Sequence, residues 1–164
     1  MGLDMWLYAR QYVSDWEFND SNRKTKELNN ILESVGWSRD EINDPFVHVD
    51  IPIMYWRKAN AIHGWFINNC ADGEDNCLPI RVSRETLVQL RDATKKVLSM
   101  RNDITAEEEA ELYLPPTSGF FFGSTNIDEY YYQDLEHTLE GLNNILNKIP
   151  EEDHNTNFIY QASW

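Results

Sequence analysis

Leu3-Asp4-Met5-Trp6-Leu7-Tyr8-Ala9-Arg10-Gln11-Tyr12 alternates residue by residue, with Leu3, Met5, Leu7 and Ala9 on one side and Asp4, Trp6, Tyr8 and Arg10 on the other. A period of two marks a strand with one buried face and one wetter face. The far end repeats the pattern: Phe158, Tyr160, Ala162 and Trp164 alternate with Ile159, Gln161 and Ser163. The two ends therefore read as paired strands of one sheet. Helical patterns fill the space between them, so the expected fold class is α+β: a single domain over 1–164, with a small, mainly antiparallel sheet covered by four or five helices.

Working inward, Lys24 to Val35 puts Leu28, Ile31, Leu32 and Val35 on one helical face, after a polar turn at Asn19-Asp20-Ser21-Asn22 and before the helix-ending Gly36. Val47, Val49, Ile51 and Ile53 alternate as a strand, and Pro52 places it at an edge or at its own end. A helix is expected from about Trp56 to Cys70, on the threes-and-fours spacing of Trp56, Ala59, His63, Phe66 and Cys70. Ala71 to Asn76 is turn chemistry, Leu78 to Val82 a short strand, and Ser83 the cap of a helix burying Leu87, Leu90, Thr94, Val97 and Leu98. Thr105 and Glu108 form a capping-box pattern for a short acidic helix that stops before Pro115-Pro116. Asn126 and Glu129 form a second such pattern, opening a last helix with an apolar stripe of Tyr131, Leu135, Leu139, Leu142, Leu146 and Ile149.

The 164 residues suffice for about one ordinary domain, and 41% hydrophobic with 13% aromatic content supplies a core. Net charge is −14, which disfavours a nucleic-acid backbone or an anionic lipid surface as partner. No stretch reaches the ~20 apolar residues of a membrane span, and Met1 to Arg10 lacks a basic region followed by an apolar block. Cys70 and Cys77 form no disulfide framework and no C-x-x-C pair, so they read as reduced thiols. The charge is uneven. Residues 1–101 hold fifteen acids against thirteen bases, whereas residues 102–164 hold thirteen acids against Lys148 alone. Glu107, Glu108, Glu109, Glu111, Asp128, Glu129, Glu136 and Glu140 in that second part are candidates for docking a basic partner; the alternative is a solvated face that maintains solubility.

Tyr55-Trp56-Arg57-Lys58-Ala59-Asn60-Ala61-Ile62-His63-Gly64-Trp65-Phe66 is the densest chemical stretch. Cations can hold a phosphate or carboxylate, aromatic rings offer faces to a base, and Asn can read an edge. With Phe121, Ser124 and Tyr131, the residues Tyr55, Trp56, Arg57, Lys58, Asn60 and His63 make a candidate pocket for a small anionic or nucleotide ligand. His63 shares the apolar stripe of Trp56 and Phe66, so it also reads as a core histidine donating to a backbone carbonyl. In Ser118-Gly119-Phe120-Phe121-Phe122-Gly123-Ser124 three Phe cannot point one way, so at least one is exposed; as a unit the segment reads either as part of that pocket or as a hydrophobic plug. Ser124 and Thr125 precede the last helix, whose free N–H groups favour anions. Of Tyr130-Tyr131-Tyr132, one ring is expected buried and another turned toward the phenylalanines. Asp134 and His137 are too few for a metal, and no zinc pattern or cofactor motif is present, so no metal and no cofactor are expected. The usual hydrolase, zinc-protease, kinase and dinucleotide motifs are absent; an enzyme using His63 or His137 with a carboxylate is the least favoured reading.

The opening Gly2-Leu3-Asp4-Met5-Trp6-Leu7-Tyr8-Ala9, the Tyr55 to His63 block with Trp65-Phe66, Gly119 to Ser124 and the terminal Tyr160-Gln161-Ala162-Ser163-Trp164 resemble a family of small tailed-bacteriophage proteins. The resemblance runs nearly end to end and is weakest over Ser14 to Asp50 and after Arg101. Members sometimes carry a phosphoglycerate-kinase label, which does not suit a chain too short for two domains and without a nucleotide loop. The resemblance implies a phage accessory protein that acts by binding in the host cytoplasm. The expectation is inhibition of a host antiviral factor through the acidic surface, with a nucleotide-sequestering module as the alternative.

Overall fold

In the computed structural model, residues 2–14, 21–43 and 46–164 are described. The chain runs β1 (Asp4–Ser14), α1 (Ser21–Ser34), a 3-10 turn (Arg39–Glu41), β2 (Phe46–Arg57), α2 (Asn60–Cys70), β3 (Ile80–Val82), α3 (Arg84–Ser99), α4 (Ala106–Tyr113), α5 (Glu129–Lys148) and β4 (Thr156–Ser163). The four strands form one antiparallel sheet in the order β2-β1-β4-β3, so the N- and C-terminal strands are paired and the fold is α+β. β3 faces β4 with Ile80 opposite Tyr160 and Val82 opposite Phe158. Pro52 lies on an edge strand, the position in a sheet that tolerates a residue without an N–H.

Residues cluster into two compact units, Met1–Ala9 with Pro52–Trp164, and Arg10–Ile51. In the larger unit, Leu3, Met5 and Leu7 of β1 are fully buried, as their alternation requires. They join Met54 and Trp56 of β2, Ile62 and Phe66 of α2, Leu87 and Leu90 of α3, Leu135 and Leu142 of α5, and Tyr160 of β4 in one core. α3 and α5 lie against one another. Arg84 ties the end of α5 to the start of α3, donating to the carbonyl oxygens of Ile149 (2.6 Å) and Leu146 (2.9 Å), two of the acceptors a helix end leaves free. In the smaller unit Arg10 forks onto Asp50 with two bonds of 2.7 Å, and the rings of Tyr12, Phe46 and His48 cluster. α1 buries Leu28 and Leu32 and ends at Gly36, whose φ of +86° suits the left-handed turn that closes it: Trp37 N–H donates to Leu32 and Gly36 N–H to Glu33.

Several local expectations are corrected. The segment from Trp56 is not helical from its start: β2 continues to Arg57, and Trp56 is a core residue of the strand, its indole N–H donating to Thr138 at 2.8 Å. Val35 falls beyond α1 and is exposed. Of the turn expected over Asn19 to Asn22, residues 19 and 20 lie outside the described set, and 21 and 22 belong to α1. The Thr105 box does not form: the Thr105 N–H and hydroxyl both go to the Asp103 carboxylate. α5 is capped by Asp128 instead of Asn126, because the Asp128 carboxylate accepts from the N–H groups of Tyr130 and Tyr131. Two tyrosine rings are buried, Tyr131 and Tyr132, and only Tyr130 is open.

Candidate functional site

The site grows from the corner between β2 and α2. Lys58 follows the last strand residue with φ of +61°, a left-handed backbone that a lysine adopts only under constraint. The constraint is visible: Lys58 N–H donates to the Leu3 carbonyl (2.8 Å), and Asn60 N–H reaches back to the Lys58 carbonyl (2.8 Å). With Ala59 at φ −73°, ψ 68°, that second bond closes an inverse γ-turn and starts α2. The corner leaves Arg57 and Lys58 side by side and exposed.

Asn60, the first residue of α2, is buried and spends its amide on the phenylalanine segment. Nδ2 donates to the carbonyls of Phe122 (3.2 Å) and Ser124 (2.7 Å), and Oδ1 accepts from Thr117 N–H (3.1 Å). The dense block and the Gly119–Ser124 segment therefore meet, with Asn60 as a clamp. Gly123, at φ +90°, lets the segment turn against the Lys58 stem. Phe122 is buried and Phe120 is 93% exposed, as three successive Phe require.

Two clefts flank this junction. The first, of about 480 Å³, is lined by Arg57, Lys58 and the first turn of α2, by Gly123 and Ser124, and by Tyr130, Tyr131 and Asp134 of α5. Its walls carry charges of both signs. Neither Arg57 nor Lys58 forms an ion pair with a described residue, and none of the described groups donates to the Asp134 carboxylate. Burial pushes the Asp134 carboxyl up to about 6; His137 opposes the rise and Asp128 adds to it. The α2 N-terminus has no side-chain cap, whereas α5's is occupied by Asp128. The anion-favouring helix end is thus at Asn60 and not behind Ser124 and Thr125.

The second cleft, of about 470 Å³, is bordered by His63, Asp75, Phe120, Phe121, Phe122 and Trp164. His63 is 1% exposed, with Nε2 3.0 Å from the Asp75 carboxylate and Nδ1 2.7 Å from the Tyr160 hydroxyl. A carboxylate only accepts, so in the neutral ring Nε2 carries the hydrogen and the Tyr160 O–H donates to Nδ1. His63 is a core histidine as its stripe implied, but its partners are side chains instead of a backbone carbonyl. Burial drives the Tyr160 phenol well above its ordinary range. Trp164 Nε1 completes the chain by donating to Asp75 at 3.2 Å.

Of the candidate ligand residues, Arg57, Lys58, Asn60, Ser124 and Tyr131 line the first cleft and His63 and Phe121 the second. Tyr131 is a buried part of the first cleft's wall, its hydroxyl donating to the Leu114 carbonyl. Trp56 lies in the core, and Tyr55 points elsewhere, its hydroxyl on Asp4. The acidic candidates separate as well. Glu129 and Glu136 both grip Arg101, whose guanidinium lies over the Tyr132 ring, and Asp128 is a cap. Glu109 sits 3.7 Å from Lys96, while Glu107, Glu108, Glu111 and Glu140 are exposed. Asp134, Asp75 and Tyr130 were not among the ligand candidates. Asp134 had a signal, being an acid next to Leu135 on the face set by Tyr131 and Thr138; Asp75, in a turn-rich loop, had none. Among the described residues no group of three or more His, Cys, Asp and Glu is placed to hold a metal, and no helix is long and apolar enough to cross a membrane.

Compared with protein-family models, curated proteins and solved structures, the chain matches none.

Proposed function

We propose that the protein binds a small anionic ligand of the nucleotide type in the cleft at the β2–α2 corner. The observation that carries this reading is the pair Arg57 and Lys58: two cations lining a cleft, without ion pairs to the described residues, in a chain with 28 acids. Arg10 and Arg101 are each held by a carboxylate, whereas Arg57 and Lys58 meet none among the described residues and both line the cleft. The uncapped first turn of α2 adds N–H groups that favour negative charge, and Tyr130 offers an open ring. A cleft of about 480 Å³ suits a mononucleotide. With the resemblance to tailed-phage proteins taken as origin, this is an accessory protein of the host cytoplasm that acts by sequestration. Titration calorimetry against a panel of nucleoside mono- and diphosphates tests it: binding with Kd at or below the micromolar range, weakened at least about tenfold by Arg57→Ala, is expected. No heat with any nucleotide, or equal binding by the variant, overturns it.

A second reading rests on α4, where Glu107, Glu108 and Glu111 are exposed and form no ion pair with a described residue, beside the exposed Leu112. This is the surface for docking a basic host protein, such as a defence factor. Glu107→Lys with Glu108→Lys and Glu111→Lys abolishes that capture from host lysate under this reading, and unchanged capture sinks it.

A further inference from the structure

The first cleft holds charges that do not satisfy one another. Arg57 and Lys58 stand on one wall and Asp134 on another, and no ion pair or hydrogen bond joins them. The Asp134 carboxylate is half-buried and lines the cleft without a donor from the described residues, so the N–H groups of a ligand there can meet it. The complementary ligand is therefore bipolar, with an anionic group for the cations and N–H donors some distance away for Asp134. A nucleotide has this form, and its base decides how well it fits. Guanine presents N1–H and the 2-amino group side by side, two donors that a carboxylate accepts in parallel, as it accepts the fork of an arginine. Adenine and cytosine present one donor beside one acceptor, and the acceptor would face the Asp134 oxygen. Uracil's single N–H lies between two carbonyls.

We infer that the cleft selects a guanine nucleotide, with Asp134 reading the base edge while Arg57 and Lys58 hold the phosphate. This rests on the anion-binding reading above and adds the identity of the base to it. Tyr130, 76% exposed on the same helix turn as Asp134, supplies the face on which that base stacks. The raised carboxyl of Asp134 fits an unliganded pocket, since donors from a ligand stabilise the ionised form.

Calorimetry at pH 7.5 with GMP, IMP and AMP tests the assignment on the wild-type chain. GMP is expected to bind at least about tenfold more tightly than AMP, with IMP, which keeps N1–H and lacks the 2-amino group, in between. Asp134→Asn should lower GMP affinity at least about tenfold and leave AMP binding equal or tighter, because an amide offers one acceptor and one donor, the complement of the adenine edge. The IMP step holds even if the variant folds poorly, since it changes only the ligand. Equal binding of GMP, IMP and AMP, still lost with Arg57→Ala, overturns the guanine assignment while the anion-binding reading stands. Absence of binding by all three overturns both.

Discussion

The side-chain amide of Asn60 donates to the carbonyl oxygen of Ser124 at 2.7 Å, binding the first turn of α2 to the segment that precedes α5. Through the same side chain the carbonyl of Phe122 and the N–H of Thr117 are satisfied, so one residue answers three backbone groups. Asn60→Ala would leave those groups to find other partners in a largely buried setting, at about 2–4 kcal/mol. Asn60→Asp should be at least as severe near neutral pH, because a carboxylate would face two carbonyl oxygens. Urea unfolding reads both effects; a loss below about 0.5 kcal/mol for Asn60→Ala would remove Asn60 as the clamp.

His63, Tyr160 and Asp75 predict an asymmetric pair of variants. Tyr160→Phe keeps the ring stacked on Phe66 at 4.1 Å but deletes the donor to Nδ1, leaving a buried acceptor unpaired at about 1–2 kcal/mol. Asp75→Asn can still accept from Nε2, so it should cost less, about 0.5–1 kcal/mol. Thermal unfolding followed by near-UV circular dichroism should rank Tyr160→Phe as the more damaging. The reverse order would show that Asp75 holds the histidine chiefly by charge.

The reach of sequence reasoning can be judged on the same residues. Alternation placed Leu3, Met5, Leu7, Phe158 and Tyr160 correctly, since a period of two has no helical counterpart; in β4 it did not mark Ile159, which is buried as well, or the exposure of Trp164. The Trp56, Ala59, His63 and Phe66 spacing was ambiguous. All four are buried, but Trp56 is buried from a strand, and only the left-handed Lys58 between them separates the two periods. That conformation is imposed by the Leu3 carbonyl, a contact distant in sequence. The caps failed for a related reason: Thr105 and Asn126 stand at box spacing, yet Asp103 and Asp128 supply stronger charged acceptors two residues away. Arg57 and Lys58 were legible as cations in an aromatic block. Asp134 as their counterpart was not, because the facing of α5 and the β2–α2 corner is tertiary.

Gly64 is required by its neighbour. A Cβ there would lie 2.0 Å from Thr117 Oγ1 and 3.0 Å from Thr117 Cβ, inside contact distance on the segment that Asn60 clamps. Gly64→Ala should destabilise by about 1–3 kcal/mol despite the higher helix propensity of alanine. Thr117→Gly, which removes the clashing atoms, should recover part of the loss when combined with it. A double-mutant cycle measured by urea unfolding checks this, and strict additivity of the two changes would mean that the chain relaxes elsewhere.

Asp134 sets a slope of stability with pH whose sign follows from its surroundings. Burial raises the folded carboxyl to about 6, against an unfolded value of about 3.9. Between these values the folded chain keeps a proton that the unfolded chain has released. The contribution to stability is therefore full below about pH 3.9 and is lost as pH rises through about 6. Asp134→Asn removes this slope. The variant should equal the wild type or fall slightly below it at pH 4, and exceed it by about 1 kcal/mol at pH 7.5, a figure reduced from the full shift because the carboxyl is partly open to solvent. Asp50, held down by its hydrogen bond from Arg10, and Glu129, held down by that from Arg101, act in the opposite sense at lower pH. Both are common to the two chains and cancel in the difference. Urea midpoints from pH 4 to pH 8 give that difference directly; a flat curve would mean that the Asp134 carboxylate is already satisfied in the folded protein, and would also weaken its assignment as the group that waits for a donor.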